Sequence, residues 1–305
     1  MDGRYEAFLK TAELGSISRA AEYLGYSQSG LSRAIAGLEE EFGFSLFIRG
    51  KQGVRLTANG ERVLAPIRRL FNEAQALQQT VDDINGLASG VIRVGTFTSV
   101  TTNWLPGLID GFTSLYPGIE FRLRGGDYEQ IGHWLERGEI DCGFLSAPAP
   151  EGLSFLPLLH DPMLAVLPPG HPLAAENTVS CEALACEDFI SLGTGGDYDL
   201  RRALALLPSQ PRVKYTLHDD LSIVAMVAAG QGVSIMPALV LRGLQTTAAL
   251  RPLQPPCCRV LGIASRPRRY ISPAVSRFLD YLSHALAELL VEDPQGSPPF
   301  ATAHC

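Results

Sequence analysis

The stretch Ser16 to Leu56, SISRAAEYLGYSQSGLSRAIAGLEEEFGFSLFIRGKQGVRL, reads as two short helices, a tight turn and a basic hairpin. A helix from Ser18 puts Ala20, Ala21 and Leu24 on one face, and Gly25 supplies a turn that a residue with a Cβ resists. A second helix starts at Ser27, a suitable N-cap, with Leu31, Ile35 and Leu38 at helical spacing on the buried side. Ser27, Gln28, Ser29, Ser32 and Arg33 then carry amide, hydroxyl and guanidinium groups near the start of that helix. Groups of this kind reach base edges in the major groove of double-stranded DNA.

Two helices joined at glycine also occur in domains that touch no nucleic acid, and the residues that follow decide between the readings. Phe42, Leu46, Phe47, Val54 and Leu56 flank Arg49, Gly50, Lys51, Gln52, Gly53 and Arg55, a strand, turn and strand with cations at the tip. Arg49, Lys51 and Arg55 are placed to grip phosphates, a contact that positions a protein without reading sequence.

The segment resembles the winged helix-turn-helix of LysR-type transcriptional regulators. The resemblance rests on Ala20, Ala21, Leu24, Ser27, Gln28, Leu31, Ser32, Ile35, Leu38, Glu39, Leu46, Phe47, Arg49, Gly53, Leu56, Thr57 and Gly60. Ser29-Gly30 departs from the Pro-Ala usual in that family, and a helical glycine costs about 1 kcal/mol against alanine.

At 305 residues the chain suits two or three units, each able to bury a core. Its net charge of −7 alone argues against a nucleic-acid partner. Residues 1–70, however, hold 10 Lys and Arg against 8 Asp and Glu, a net of +2, so the remainder carries −9. With so small a basic excess, binding depends on a few well-placed cations and on several copies of the domain, and is strongly salt-dependent. No basic start precedes an apolar run and no apolar stretch reaches 18 residues, so a cytoplasmic protein without signal peptide or membrane span is expected. The six cysteines are expected to be reduced. Their spacings match no zinc pattern, and neither metal nor cofactor is implied. A redox switch at Cys181 and Cys186, or at Cys257 and Cys258, is the functional alternative to ordinary packing.

Val63, Ile67, Leu70, Ala74, Leu77, Val81 and Ile84 recur at gaps of 4 and 3, a heptad seam of about three repeats that calls for a partner helix. The alternative is a helix laid on its own domain. Pro66 is expected to bend it near its start. Asn85-Gly86 and Ser89-Gly90 close the helix as a hinge. The resemblance implies that this helix pairs two subunits, and that two such dimers form a homotetramer.

From Val91 the period changes to strands alternating with helices, a βαβαβ order that implies a parallel sheet. A second unit follows His160-Asp161-Pro162, and the chain returns to the first through a strand at Val260 to Ala264 and a helix at Ala274 to Leu290. Two α/β lobes joined by crossover strands enclose a cleft. The resemblance extends over residues 2–290, through GVIRVG at 90–95, LERGEIDCG at 135–143, HPL at 171–173 and VAAGQGVSIMP at 227–237. It implies an effector-binding domain related in fold to periplasmic solute-binding proteins. The resulting divisions are a DNA-binding domain at 1–58, a linker helix and hinge at 59–89, an effector domain at 90–292 and a disordered tail at 293–305. Lobe I covers about 90–160 and 265–292, and lobe II about 161–264.

Thr98 and Ser99 lie just ahead of a helix after the first strand, where hydroxyls and amides can hold an anion. Across the cleft, the loop with Gly193 and Thr194 and the strand end at His218 offer further contacts. Ser146 ends the third strand where some dicarboxylate-binding relatives carry arginine, so the expected effector is a small organic molecule with one carboxylate. Asp127 to Gln130 reads as a capping box in preference to an ammonium site. A solute-binding protein would share the cleft but has no use for residues 16–56. A small-molecule enzyme would need a nucleophile elbow, HExxH, P-loop or dinucleotide fingerprint, and the chain has none.

Overall fold

The computed structural model describes residues 3–50, 53–84, 89–193 and 198–291. These fall into two compact units, one running to Ser89 with residues 136–139 and the other starting at Gly90. Lys51, Gln52, Asn85-Gly86, Thr194 and the tail at 293–305 lie outside the described residues.

The first unit opens with α1 (Gly3–Leu14), which precedes the stretch from Ser16 and is absent from the sequence reading, although Tyr5, Phe8, Leu9 and Ala12 recur at helical spacing. Ala7 and Phe8 are buried, and Phe8 packs against Phe47 at 5.4 Å between ring centroids. Helix α2 (Ile17–Leu24) starts one residue earlier than its periodicity predicts, because the Ser16 side chain accepts from Arg19 N. Gly25 ends it with φ 69°, a left-handed turn that needs no Cβ. Helix α3 (Gln28–Phe42) is capped at Ser27 and buries Leu31, Ile35 and Leu38, as its pattern predicts.

Strands β1 (Phe47–Gly50) and β2 (Gly53–Leu56) form the antiparallel wing, in register Phe47 with Leu56 and Arg49 with Val54. Glu39 of α3 anchors its base, accepting from Leu46 N at 2.7 Å and Phe47 N at 3.2 Å. Val54 N donates to the Gly15 carbonyl at 2.9 Å, and a Cβ at Gly53 (φ 117°) would lie 2.6 Å from that same oxygen. Helix α4 (Ala58–Ile84) runs through Pro66 for 27 residues. Its start is fixed by Thr57, whose Oγ1 accepts from Gly60 N at 2.9 Å and donates to the Ser45 carbonyl at 2.8 Å.

In the second unit the first elements are β3 (Ser89–Thr96), α5 (Thr98–Asn103), α6 (Leu105–Leu115), β4 (Gly118–Gly125), α7 (Tyr128–Glu136), β5 (Cys142–Ser146) and β6 (Ser154–Leu167). They continue as β7 (Val179–Ser180), α8 (Cys181–Leu184), β8 (Asp188–Leu192), α9 (Tyr198–Leu204), β9 (Arg212–Leu217), α10 (Asp220–Ala228) and β10 (Ser234–Pro237). The last are α11 (Ala238–Leu241), β11 (Ala249–Gln254), β12 (Cys258–Ser265) and α12 (Pro273–Val291). One sheet, ordered β4-β3-β5-β12-β6-β11-β7 with β10 also on β6, runs through both lobes, while β8 and β9 pair separately. Strands β3 and β5 are parallel, but β12 joins β5 and β6 antiparallel, so the sheet is mixed.

Strand β6 explains how the lobes share a sheet. Residues 154–162 pair with β12, and residues 163–167 pair with β10 and β11. Pro162, read from sequence as a break between units, lies inside this strand. Proline's fixed φ suits extended backbone, and Pro157 sits where the register slips by one residue, a bulge that tolerates a missing donor. Beyond Pro162, Met163, Ala165 and Leu167 enter one core cluster and Leu164 and Val166 another, so this half is apolar on both faces. Lobe I has its own core, in which Phe112 meets Phe121, Phe278, Tyr116 and Tyr281 edge-on or tilted.

A Cβ built at Gly60 would collide with the Leu46 carbonyl oxygen, where α4 meets the wing. Gly60→Ala is expected to lower the unfolding free energy by about 1 to 3 kcal/mol despite alanine's better helix propensity. An unchanged denaturant midpoint would show that the junction relaxes freely.

Candidate nucleic-acid interface and ligand cleft

On α3, Gln28, Ser29 and Arg33 are exposed. The Ser27 hydroxyl is committed to capping, accepting from Gly30 N at 3.0 Å, and stands 3.3 Å from Ser29 Oγ. Ser27 thus sets the helix start, and the base-reading role falls to its neighbours. A Cβ at Gly30 would meet Ser27 Oγ at 3.0 Å, so the glycine in place of alanine gives this cap room. Arg33 Nε donates to the Ser29 carbonyl at 3.4 Å. Arg49 Nη2 donates to Ser32 Oγ at 3.1 Å, tying the wing to the recognition helix. Arg55 is exposed across from Ile48 on the second wing strand.

Along α4 the seam divides. Ile67 is buried in the core of the first unit with Val63 packed beside it, whereas Leu70, Leu77, Val81 and Ile84 are exposed.

In the second unit the polar centre lies where β6 and β12 cross. Arg259 and Asp161 face each other in register, 4% and 2% exposed, with a 2.7 Å ion pair. Arg259 Nη1 donates to the Tyr128 hydroxyl at 2.9 Å and Nη2 to Ser99 Oγ at 3.2 Å. Asp161 Oδ1 accepts from Leu239 N at 2.9 Å, which fixes the start of α11. Burial opposes the charge on Arg259, but Tyr128, Asp161 and Asp199 outweigh it and hold the guanidinium pKa above its ordinary value.

Ser99 is thus buried and bonded to a cation, rather than presenting its hydroxyl from an open helix end. Thr98 is exposed on the same turn, and the residue before it, Phe97, makes no side-chain cap. Ser146 is fully buried and donates to Asp199 Oδ1 at 2.7 Å. Tyr198 O–H donates to the Ser146 carbonyl at 2.6 Å, and the rings of Tyr128 and Tyr198 lie 5.1 Å apart. His218 is exposed beyond β9, beside Gly193, whose N donates to the Leu217 carbonyl. Ser99 and Ser146 therefore belong to one network with Arg259, Asp161, Tyr128, Tyr198 and Asp199, five residues to which the sequence reading gives no role in the cleft. Single charges of opposite sign inside the apolar strands CCRVLGIAS and HDPMLAVL were the available signal.

Asp127 and Gln130 form the capping box reciprocally, at 2.8 and 3.1 Å. Cys142, Cys181, Cys186 and Cys257 are free thiols, so neither suspected cysteine pair is joined. Burial pushes the Cys142 and Cys181 thiols up, away from reactivity. Among the described residues no group of His, Cys, Asp and Glu could hold a metal ion, and no helix is long and apolar enough to cross a membrane.

Removing the guanidinium strands a buried carboxylate. Arg259→Met is expected to destabilise the second unit by about 3 to 5 kcal/mol in urea unfolding; a loss under 1 kcal/mol would show that water reaches Asp161.

Two family models match this chain. The bacterial regulatory helix-turn-helix protein model of the lysR family matches residues 3–61, and the LysR substrate binding domain model residues 85–287. The probable HTH-type transcriptional regulator LrrA of Synechococcus elongatus is 32% identical, over 91% of this chain and 94% of its own length. Among solved structures, full-length OxyR from Pseudomonas aeruginosa, a cysteine-to-aspartate variant, has a TM-score of 0.76 at 25% identity, covering 93% of this chain and 98% of its own. Full-length CbnR in complex with its target DNA has a TM-score of 0.61 at 20% identity, covering 92% and 98%, a likeness of fold.

Proposed function

We propose a residue-level account from one premise: the chain belongs to the LysR family of bacterial transcriptional regulators. It is a DNA-binding transcriptional regulator with a helix-turn-helix domain and a two-lobed α/β effector domain. The family membership favours this reading over a solute-binding protein or an enzyme, and we assign the chain no catalytic role and a cytoplasmic location.

For DNA, we assign base reading to Gln28, Ser29 and Arg33, with Ser27 holding the helix start. Arg49, Lys51 and Arg55 contact phosphate, and Ser32 orients Arg49. The observation that carries this is the Arg49 to Ser32 hydrogen bond, which gives wing and recognition helix one geometry. Arg33→Ala is expected to cost about 1 to 3 kcal/mol on operator DNA, while Arg55→Ala weakens all DNA alike and lowers the salt slope. Equal loss on operator and random DNA for Arg33→Ala, measured by fluorescence anisotropy, would remove its reading role.

For assembly, we assign Leu70, Leu77, Val81 and Ile84 to an intersubunit seam of a dimer, and the active species to a dimer of dimers. Four exposed aliphatic residues on one seam are costly to leave in water. Leu77→Glu is expected to lower the oligomeric state in light scattering, because it buries an unpaired charge. An unchanged mass would place the helix on its own subunit.

For regulation, we assign the cleft to a small organic effector bearing one carboxylate. Arg259 is its counter-charge, Thr98, Ser99 and Ser146 its hydroxyl donors, and Thr194 and His218 the contacts from the other lobe. The supporting observation is a guanidinium and two serine hydroxyls buried where the lobes join. Such an effector raises the melting temperature with dose, and Ser99→Asp, which adds a like charge beside Asp161, should abolish the rise while leaving DNA binding intact. A full response from Ser99→Asp would sink the assignment.

A further inference from the structure

We propose that the Asp199 carboxylate is a built-in occupant of the cleft's anion subsite, and that an effector carboxylate acts by taking its place. The inference rests on the carboxylate reading above and names where that group binds.

Ser146 is the last residue of β5, at the carboxyl end of a parallel pair, where α/β sheets receive ligands. Its hydroxyl is spent on Asp199 at 2.7 Å, with both side chains buried. Asp199 comes from the opposite lobe. It sits on the first turn of α9, whose Leu200 and Ala203 belong to the lobe II core. The same helix grips the end of β5 twice more, through Tyr198 O–H on the Ser146 carbonyl and Arg202 Nη1 on the Ala147 carbonyl at 3.5 Å. Tyr198 also packs on Tyr128, which Arg259 holds by its hydroxyl. One carboxylate thus stands at the centre of a clasp between the lobes.

Charge decides how a ligand can enter. Arg259 already faces the charges of Asp161 and Asp199, so the buried set is one cation against two anions. A third carboxylate alongside would meet net repulsion in a desolvated site. Asp161 cannot yield, since it is paired in register with Arg259 and accepts from Leu239 N. Asp199 can, because exchanging one carboxylate for another keeps both the Ser146 donor and the charge count. The exchange frees the α9 turn, so the ligand favours a different lobe arrangement, and this differential binding is what coupling requires.

The test is chemical rescue with formate, the group that Asp199→Ala removes. Asp199→Ala is expected to melt below the parent. Formate should then raise its midpoint saturably, by about 3 to 6 °C at ten times the half-saturating concentration. Chloride at matched ionic strength and formamide should not, nor should formate move the parent. Adding Ser146→Ala should weaken the rescue. If Asp199→Ala does not fold, Asp199→Ser, which keeps a hydroxyl towards Ser146, takes the same titration. The proposal is overturned if formate moves the variant no more than the parent or chloride does. It is equally overturned if methylammonium stabilises the parent and formate does nothing to the variant, since the cleft then takes a cation beside Asp199. A failed formate rescue with a stabilising native effector removes this proposal alone; a carboxylate that never stabilises parent or variant removes the effector reading as well.

Discussion

The pairing of Arg259 with Asp161 is the constraint on which the second unit depends. Both sit in long strands that cross between lobes, and both are almost fully buried. An isolated buried charge of either sign is untenable, so each strand fixes the other's register. A slip of one residue would put Asp161 on the wrong face and leave the guanidinium without its partner. From this pair the remaining polar contacts branch. Asp161 holds the start of α11, while Arg259 holds Tyr128 of α7 and Ser99 of α5. Elements from both lobes therefore meet on one ion pair.

The first unit is organised differently, by backbone contacts rather than by charge. Glu39 supplies a carboxylate to two amides at the base of the wing, Gly15 and Gly53 bring two backbones within hydrogen-bond reach, and Thr57 caps α4 while donating to Ser45. Four of the residues that carry the family resemblance in this region, Glu39, Gly53, Thr57 and Gly60, contact no base in this account. Their task is to set the angle between wing and recognition helix, and Arg49 on Ser32 completes it. A surface that reads DNA must be rigid before contact, because ordering it on binding would cost affinity.

What was legible in the sequence was local. Ser27 with Leu31, Ile35 and Leu38 specifies the recognition helix, and Asp127 with Gln130 specifies a capping box, because each signal is complete within one or two turns. The order of strands and helices followed from changes in period. The cleft was legible only as a place. Thr98, Ser99, Ser146 and His218 stand at or just beyond strand ends, and two of them are in the buried network. Their partners were not legible, since Arg259 lies 98 residues from Asp161 and 160 from Ser99, and Asp199 lies 53 from Ser146. Strand register creates those contacts, and no spacing along the chain encodes it. Helix α1 was local in the same sense, since Tyr5, Phe8, Leu9 and Ala12 lie at helical spacing and pack in the core of the first unit, but it stands ahead of the stretch that carries the motif.

Helix α4 shows how one periodic pattern can serve two purposes. Its seam is uniform in sequence, yet Val63 and Ile67 complete the core of the first unit while Leu70, Leu77, Val81 and Ile84 stand exposed. Pro66 lies just before the change, one residue from the last buried seam position. A proline there removes one backbone donor where tertiary packing already holds the helix, so the cost falls on the segment best able to bear it. Placed among the exposed positions, the same residue would remove a donor from the part of the helix whose seam side chains do not pack in the core of the first unit. The order of proline first and open seam after is thus the arrangement that keeps a 27-residue helix continuous.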